Sequence, residues 1–171
     1  MVTRRGRWQP HPGEKGGSET GKSPVDRGRA GSKHHILVDA SGIPLAYSVT
    51  GGNRNDVTQL IPLLDRVPMV RGRVGRPRQR PDRVYADRGY DHDKYRRLLR
   101  ARGITPVIAR RNTEHGTGLG QVRWVVERTF AWLHHFKRLL VRYDRRDDIH
   151  EGFLALACCL ICWNRLENSL S

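Results

Sequence analysis

The order in which apolar runs change their period constrains this chain more than any other feature. His35-Ile36-Leu37-Val38-Asp39 reads as a strand, Ala40-Ser41-Gly42 as a turn and Leu45-Ala46-Tyr47-Ser48-Val49-Thr50 as a second strand, which together predict a β-hairpin. From Asp56 to Arg66, Val57, Leu60, Ile61 and Leu64 recur at helical spacing, with Asn55 or Asp56 placed to cap and Pro62 interrupting the middle. Arg83-Val84-Tyr85-Ala86 reads as a strand, Asp91 to Arg102 as a helix stopped by Gly103, and Thr105-Pro106-Val107-Ile108-Ala109 as another strand. Asp91 and Asp93 read as caps of that helix. A helix from about Gly120 to Tyr143 sets Val122, Val125, Val126, Thr129, Leu133, Phe136 and Leu140 near one face. A last helix starts near Asp148, with Glu151 as a capping-box partner, and is expected to pack Phe153, Leu154, Leu156, Leu160 and Ile161. Strand, strand, helix, strand, helix, strand and then helices predict an α/β fold, a mixed sheet covered by helices.

Charge narrows the partner. Of 171 residues, 32 are Lys or Arg and 17 are Asp or Glu, a formal charge of +15, and this excess points to a polyanion, with nucleic acid favoured over an anionic membrane. The longest apolar stretch, Phe153 to Trp163, is about half of the ~20 residues that a span needs, so no membrane segment is expected. Cys158, Cys159 and Cys162 all lie in that stretch, as small apolar residues of a buried helix in a reducing, cytoplasmic setting rather than a disulfide framework. Residues 1–32 are rich in Gly, Arg, Ser and Pro without apolar periodicity and read as a flexible basic arm; 33–168 read as the folded domain. Between Val70 and Pro81, Arg71, Arg73, Arg76, Arg78 and Arg80 stand among Gly and Pro, which predicts a cationic loop facing phosphates, or otherwise a solvated one.

Two acids stand apart. Asp87 falls where a strand stops and Gly89 permits a sharp turn, the usual place for an α/β sheet to present a carboxylate; a simple turn-forming role competes with that reading. Glu127 sits among Val125, Val126, Phe130 and Trp132, where a carboxylate calls for a cation or metal, or else forms an i,i+4 pair with Arg123 on a solvated flank. In so basic a chain the two can be read as oxygen ligands of a divalent metal at a phosphodiester.

Tyr85-Ala86-Asp87-Arg88-Gly89-Tyr90-Asp91, Arg123-Trp124-Val125-Val126-Glu127-Arg128-Thr129-Phe130-Ala131-Trp132-Leu133, and Pro24-Val25-Asp26-Arg27-Gly28 leading to Gly31-Ser32-Lys33-His34-His35 resemble bacterial insertion-sequence transposases of the DDE type. The resemblance covers roughly Lys15 to Trp163. It implies a ribonuclease-H-like catalytic fold, two Mg²⁺ or Mn²⁺ ions, and cleavage and transfer of DNA strands at the ends of a mobile element. On that match Asp87 and Glu127 take the places of the second and third acids. Arg123 matches the arginine of the family's Tyr-Arg-Glu-Lys signature, whose basic and aromatic members are associated with DNA-end binding. The signature's Tyr falls on Gly120 and its Lys on His134, with Lys137 or Arg138 as substitutes.

The family's first acid belongs on the first strand of the fold, and counting back places it within Arg4 to His11, a window without Asp or Glu and without an apolar run. The expectation is therefore a sheet that lacks its first strand, in a truncated or split transposase whose missing part comes from an upstream segment or another chain. A catalytically inactive DNA-binding remnant is the alternative. Asp39 and Asp26 are the nearby acids that could substitute, although Asp39 suits the end of a strand better. Self-association on DNA is a further implication of the resemblance.

Overall fold

The computed structural model describes residues 2–7, 9–10, 19–22, 30–71, 74–111 and 120–170. In chain order these form β1 (Val2–Arg7), β2 (Gln9–Pro10), β3 (Gly21–Lys22), β4 (Ala30–Val38), β5 (Pro44–Gly51), a 3-10 turn (Asp56–Gln59) and α1 (Leu60–Asp65). Then follow β6 (Arg83–Ala86), a 3-10 turn (Arg88–Tyr90), α2 (Asp93–Ala101), β7 (Thr105–Ile108), α3 (Gly120–His134), α4 (Lys137–Leu140), β8 (Val141–Arg142) and α5 (Asp147–Leu170).

The strand expected to be absent is present. β1 lies in the middle of the main sheet, antiparallel to β4 with Val2 opposite Val38 and Arg7 opposite Lys33, and parallel to β6 with Val2 opposite Tyr85 and Thr3 opposite Ala86. β5 pairs with the outer side of β4, and β7 runs parallel to β6. The arginine-rich segment makes a strand because its neighbours offer unpaired backbone groups on both sides; that demand outweighs weak strand propensity. The reading of 1–32 as an arm is corrected to this extent; 11–18 and 23–29 lie outside the described residues.

Alternation along β4 divides the core. Leu37 faces one side with Val57, Leu60, Leu63, Val84, Ala86, Leu99 and Ile104, under α1 and α2. Ile36 and Val38 face the other with Val125, Val126, Phe130, Leu133, Leu154 and Ile161, under α3 and α5. Buried on both faces, the Ile36–Val38 end of β4 reads as a continuous apolar run rather than an alternating one.

Several boundaries differ from expectation. Asn55 caps as predicted, its side chain accepting from Val57 N, but the turn it starts is 3-10 as far as Gln59. Asp91 does not cap α2: both its oxygens are engaged elsewhere, by Arg96 and by the Arg111 backbone. Nor does Asp93 occupy the cap position, which falls to His92; it lies in the first turn, paired with Arg110. The long helix expected to reach Tyr143 ends at His134, and extended Phe136 redirects the chain so that Leu139 and Arg142 can be buried. On α5 the buried face is His150, Leu154, Ala157, Cys158 and Ile161, while Leu156 and Leu160 are exposed, contrary to the expected packing. The capping box is absent too, Asp148 pairing with Arg146 and Glu151 with Arg66. Cys158 is buried as expected, Cys159 exposed.

Candidate functional site

β6 ends at Ala86, and Asp87 continues in extended backbone (φ −73°, ψ 177°) before the chain tightens into the 3-10 turn. Gly89 N donates to Asp87 Oδ1 at 2.8 Å, which fixes the carboxylate at the strand end. A Cβ at position 89 would lie 2.9 Å from that oxygen, so glycine is what lets the turn close. The turn is held from below by a buried ion pair: Arg96 Nη2 donates to Asp91 Oδ1 at 2.7 Å and to the Ile108 carbonyl at 2.8 Å, tying the end of β7 to the end of β6. Arg111 donates its backbone N–H to Asp91 Oδ2 and its side chain to the carbonyls of Arg88 and Gly89. The Arg111 amide, with the Arg96 guanidinium, holds the Asp91 carboxyl below the usual carboxylate range. Asp91 is thus a structural acid that anchors the Asp87 turn.

Glu127 stands on α3, which packs across β1. Its Oε1 accepts from Arg123 Nε at 3.0 Å, and with 38% of the side chain exposed it forms the i,i+4 pair on a solvated flank. The next two residues fasten the helix to the β4–β5 turn: Thr129 Oγ1 donates to the Gly42 carbonyl (2.8 Å) and Arg128 Nη2 to the Ser41 carbonyl (2.7 Å). Gly42 has a φ of +81°, a conformation that glycine adopts without strain. The Arg128 guanidinium lies between Trp124 and Trp132, 4.4 and 4.9 Å from their ring centroids.

Residues next to each acid in the chain share one apolar cluster. Tyr85 and Val122 pack against the cluster on the α3 side of the sheet that includes Val125 and Val126. Alternation carries Asp87, two residues on, to the Tyr85 face, and Glu127 follows Val126. Asp39 lies elsewhere in function: its Oδ1 accepts from Ser41 N and Ile43 N, both at 2.8 Å, so it shapes the hairpin turn. Asp26 lies outside the described residues. β1 itself contains Val, Thr, Arg and Gly and no acid.

The predicted DNA contacts separate into two regions. Arg71, Arg76 and Arg78 are exposed on the 70–81 loop, where Val70 and Arg78 form an isolated antiparallel bridge, and Arg78 pairs loosely with Asp82. Arg73 lies outside the described residues. Arg123, Lys137 and Arg138 are exposed near α3 and α4, with Arg138 paired to Asp144 and stacked over Phe153. His134 differs: its Nε2 is buried and its pKa lowered by burial, which removes that nitrogen from the DNA-facing set.

Sequence reasoning missed a buried polar group. His34 Nε2 and His150 Nε2 meet at 2.8 Å, both rings fully buried, beside an Arg142 that donates to Ser32 Oγ (2.6 Å) and to the carbonyls of Asp144 (2.7 Å) and Arg145 (3.0 Å). Burial, followed by the neighbouring charges, lowers the His34 pKa to about 3 and that of His150 to about 4. No local pattern marks Arg142 as buried; only the alternation of β4, which puts His34 with Ile36 and Val38, hinted at an inward histidine.

Residues 7–162 match the family of transposase DDE domains. A Burkholderia cepacia protein described as a transposase for insertion sequence element IS402 is 64% identical over 154 residues, 90% of this chain and 73% of that protein. A transposase for insertion sequence element IS1106 from Neisseria meningitidis serogroup B is 28% identical over 62% of this chain and 36% of its own length. A Brucella ovis protein described as a transposase for element IS6501 is 27% identical over 78% of this chain and 98% of its own. With the match running through β4, the Asp87 turn and α3, the chain belongs to the transposase DDE domain family, among relatives named for insertion sequences.

Proposed function

We propose that the chain acts at the ends of an insertion sequence in divalent-metal-dependent cleavage and transfer of DNA strands, on a ribonuclease-H-like fold. Support for that fold comes from the strand order, with β1 central, antiparallel to β4 and parallel to β6. The observation that supports the proposal is that the chain neighbours of the two acids, Tyr85 two residues before Asp87 and Val125 and Val126 just before Glu127, belong to one apolar cluster. Mg²⁺ takes one or two carboxylates and fills its remaining positions with water and phosphate oxygens, and Asp87 and Glu127 suit such a set. Among the described residues no group of three or more His, Cys, Asp or Glu could hold a metal ion, so a complete triad of protein carboxylates does not fit them. When bound, the ion would polarise the phosphate and lower the pKa of an attacking water.

The chain's own residues do the rest. The Asp91–Arg96 pair and Arg111 hold the Asp87 turn rigid, and Arg128 and Thr129 hold the helix of Glu127 against the β4–β5 turn. Arg123 keeps Glu127 next to a positive charge that can also reach a DNA phosphate. Arg71, Arg76 and Arg78, with Lys137 and Arg138, supply sequence-independent grip on the duplex. The setting expected for this activity is the cytoplasm.

The test is nicking of a labelled duplex bearing the element end, with Mg²⁺ supplied. Cleavage that disappears with chelator and in Asp87→Asn and Glu127→Gln, while both variants still bind DNA, supports the proposal. Cleavage that survives both substitutions overturns it.

A further inference from the structure

Three cysteines close together on α5 have no part in the site described above. They run Cys158-Cys159-Leu160-Ile161-Cys162, and all three line one groove of about 420 Å³ between that helix and the start of β5. Tyr47, Ala155, Trp163 and Leu166 belong to its apolar wall. Helical geometry sets Cys162 between the other two, turned by about 40° from Cys158 and by about 60° from Cys159. Cys158 is buried, Cys159 exposed and Cys162 half-buried, with its Sγ donating to the Pro44 carbonyl at 3.9 Å. The reachable thiols are therefore those of Cys159 and Cys162.

Their spacing and surroundings limit what can bind. Cβ atoms three residues apart on a helix lie about 5–6 Å from one another, whereas a disulfide needs about 3.5–4.5 Å, so the two sulfurs do not join directly while the helix stands. A bridge with one further atom between the sulfurs covers the gap. Among the described residues no three His, Cys, Asp or Glu form a group that could hold a metal ion, so an occupant takes two sulfurs from the chain and brings its remaining ligand itself. Burial, followed by the neighbouring cysteines, pushes the Cys158 thiol up to about 12 and raises that of Cys162, which disfavours the thiolates from which a Zn²⁺ site is built.

We infer that Cys159 and Cys162 form a two-thiol site for trivalent arsenicals that carry one organic group. Arsenic in R–As(OH)₂ is three-coordinate, and it exchanges both hydroxides for sulfur while keeping its carbon. Two As–S bonds form and two As–O bonds break. Each thiol proton leaves with a hydroxide as water, and no atom changes oxidation state. The product is neutral, so the apolar groove exacts no cost for burying a charge. Its organic group lies against Tyr47, Trp163 and Leu166. The second As–S bond closes within the chain at an effective concentration of about millimolar or above, so the adduct resists a dilute monothiol and yields to a dithiol. Cys158, buried behind the pair, takes no part.

This inference does not rest on the catalytic reading, and its test uses the full chain without DNA or metal. Phenylarsine oxide, which hydrates to the dihydroxy form, is the probe; intact mass and titration of free thiols are the readouts. The expected result is one phenylarsenic group per chain, the loss of two of the three free thiols, persistence in glutathione below millimolar and release by 2,3-dimercaptopropanol. Cys158→Ser is expected to behave as the unchanged chain, whereas Cys159→Ser and Cys162→Ser each weaken binding by about a hundred-fold or more, because only one sulfur remains. Cys159→Ser lies at an exposed position and should keep the circular dichroism melt, which separates a lost site from a lost helix. Release from the unchanged chain by dilute glutathione, an adduct that survives Cys159→Ser or Cys162→Ser, or an adduct lost in a folded Cys158→Ser overturns the inference.

Discussion

Lowering the pH from 7.5 to 5 should weaken this fold through the His34–His150 pair. Both rings are buried and neutral, one nitrogen donating and the other accepting across 2.8 Å, and the groups facing them are Arg142, Asp144, His134 and His35. An unfolded histidine titrates near 6.5, whereas these are lowered to about 3 and about 4 in the folded chain. Below pH 6.5 the unfolded state therefore binds protons that the native state refuses. Stability is full above that pH and is lost as pH falls toward the folded values. At about 1.4 kcal/mol per pH unit, each ring contributes a loss of about 2 kcal/mol by pH 5, and the pair about 2 to 4 kcal/mol. Against a typical total of about 5–15 kcal/mol this is a large fraction. With an m-value of about 2 kcal/mol/M, the urea midpoint read by tryptophan fluorescence should fall by about 1–2 M between pH 7.5 and 5. His150→Asn keeps a polar partner for His34 and removes one titrating ring, so its pH slope should be about half. A midpoint that stays level over this range, or a full slope in the variant, would refute the reasoning.

Other outcomes follow from the same contacts. Asp91→Asn leaves Arg96 buried without its carboxylate and should cost about 3–5 kcal/mol in urea unfolding; a loss under about 1 kcal/mol would mean that the pair does not anchor the Asp87 turn. Arg142→Met removes the donor to Ser32 Oγ and to two carbonyls, and should cost at least about 3 kcal/mol by the same assay, with little change counting against its bracing role. Replacing Arg71, Arg76 and Arg78 with Ser should flatten the dependence of log binding constant on log salt by about 0.9 per phosphate contact removed, measured by fluorescence anisotropy on duplex DNA. An unchanged slope would assign those arginines to solvent.

How far the sequence carried this account depended on whether the signal was local. Tyr85-Ala86 and Gly103 carried their strand and helix-stop signals in their own residue types, and the corresponding elements end where expected. β1 was illegible because Arg4, Arg5 and Gly6 have little strand preference; its pairing is imposed by β4 and β6 on either side. The break after His134 was hidden for a related reason, since no Gly or Pro marks it and the gain comes from burying Leu139 and Arg142 against distant elements. Of the candidate site, Asp87 and Glu127 could be singled out by position and neighbours. Their supports, Arg96, Arg111 and Arg128, could not, because each acts across many residues on a backbone carbonyl or a buried acid.

The account turns on Asp87 and Glu127 sharing one divalent ion, and iron-directed cleavage of the protein backbone reads this directly. With Fe²⁺ in place of Mg²⁺ and ascorbate with peroxide present, hydroxyl radicals formed at the ion cut the chain nearby. The prediction is two sets of fragments, with ends near 87 and near 127, both suppressed by excess Mg²⁺ and both lost in Asp87→Asn. Fragments at one position alone, or at neither, would contradict it.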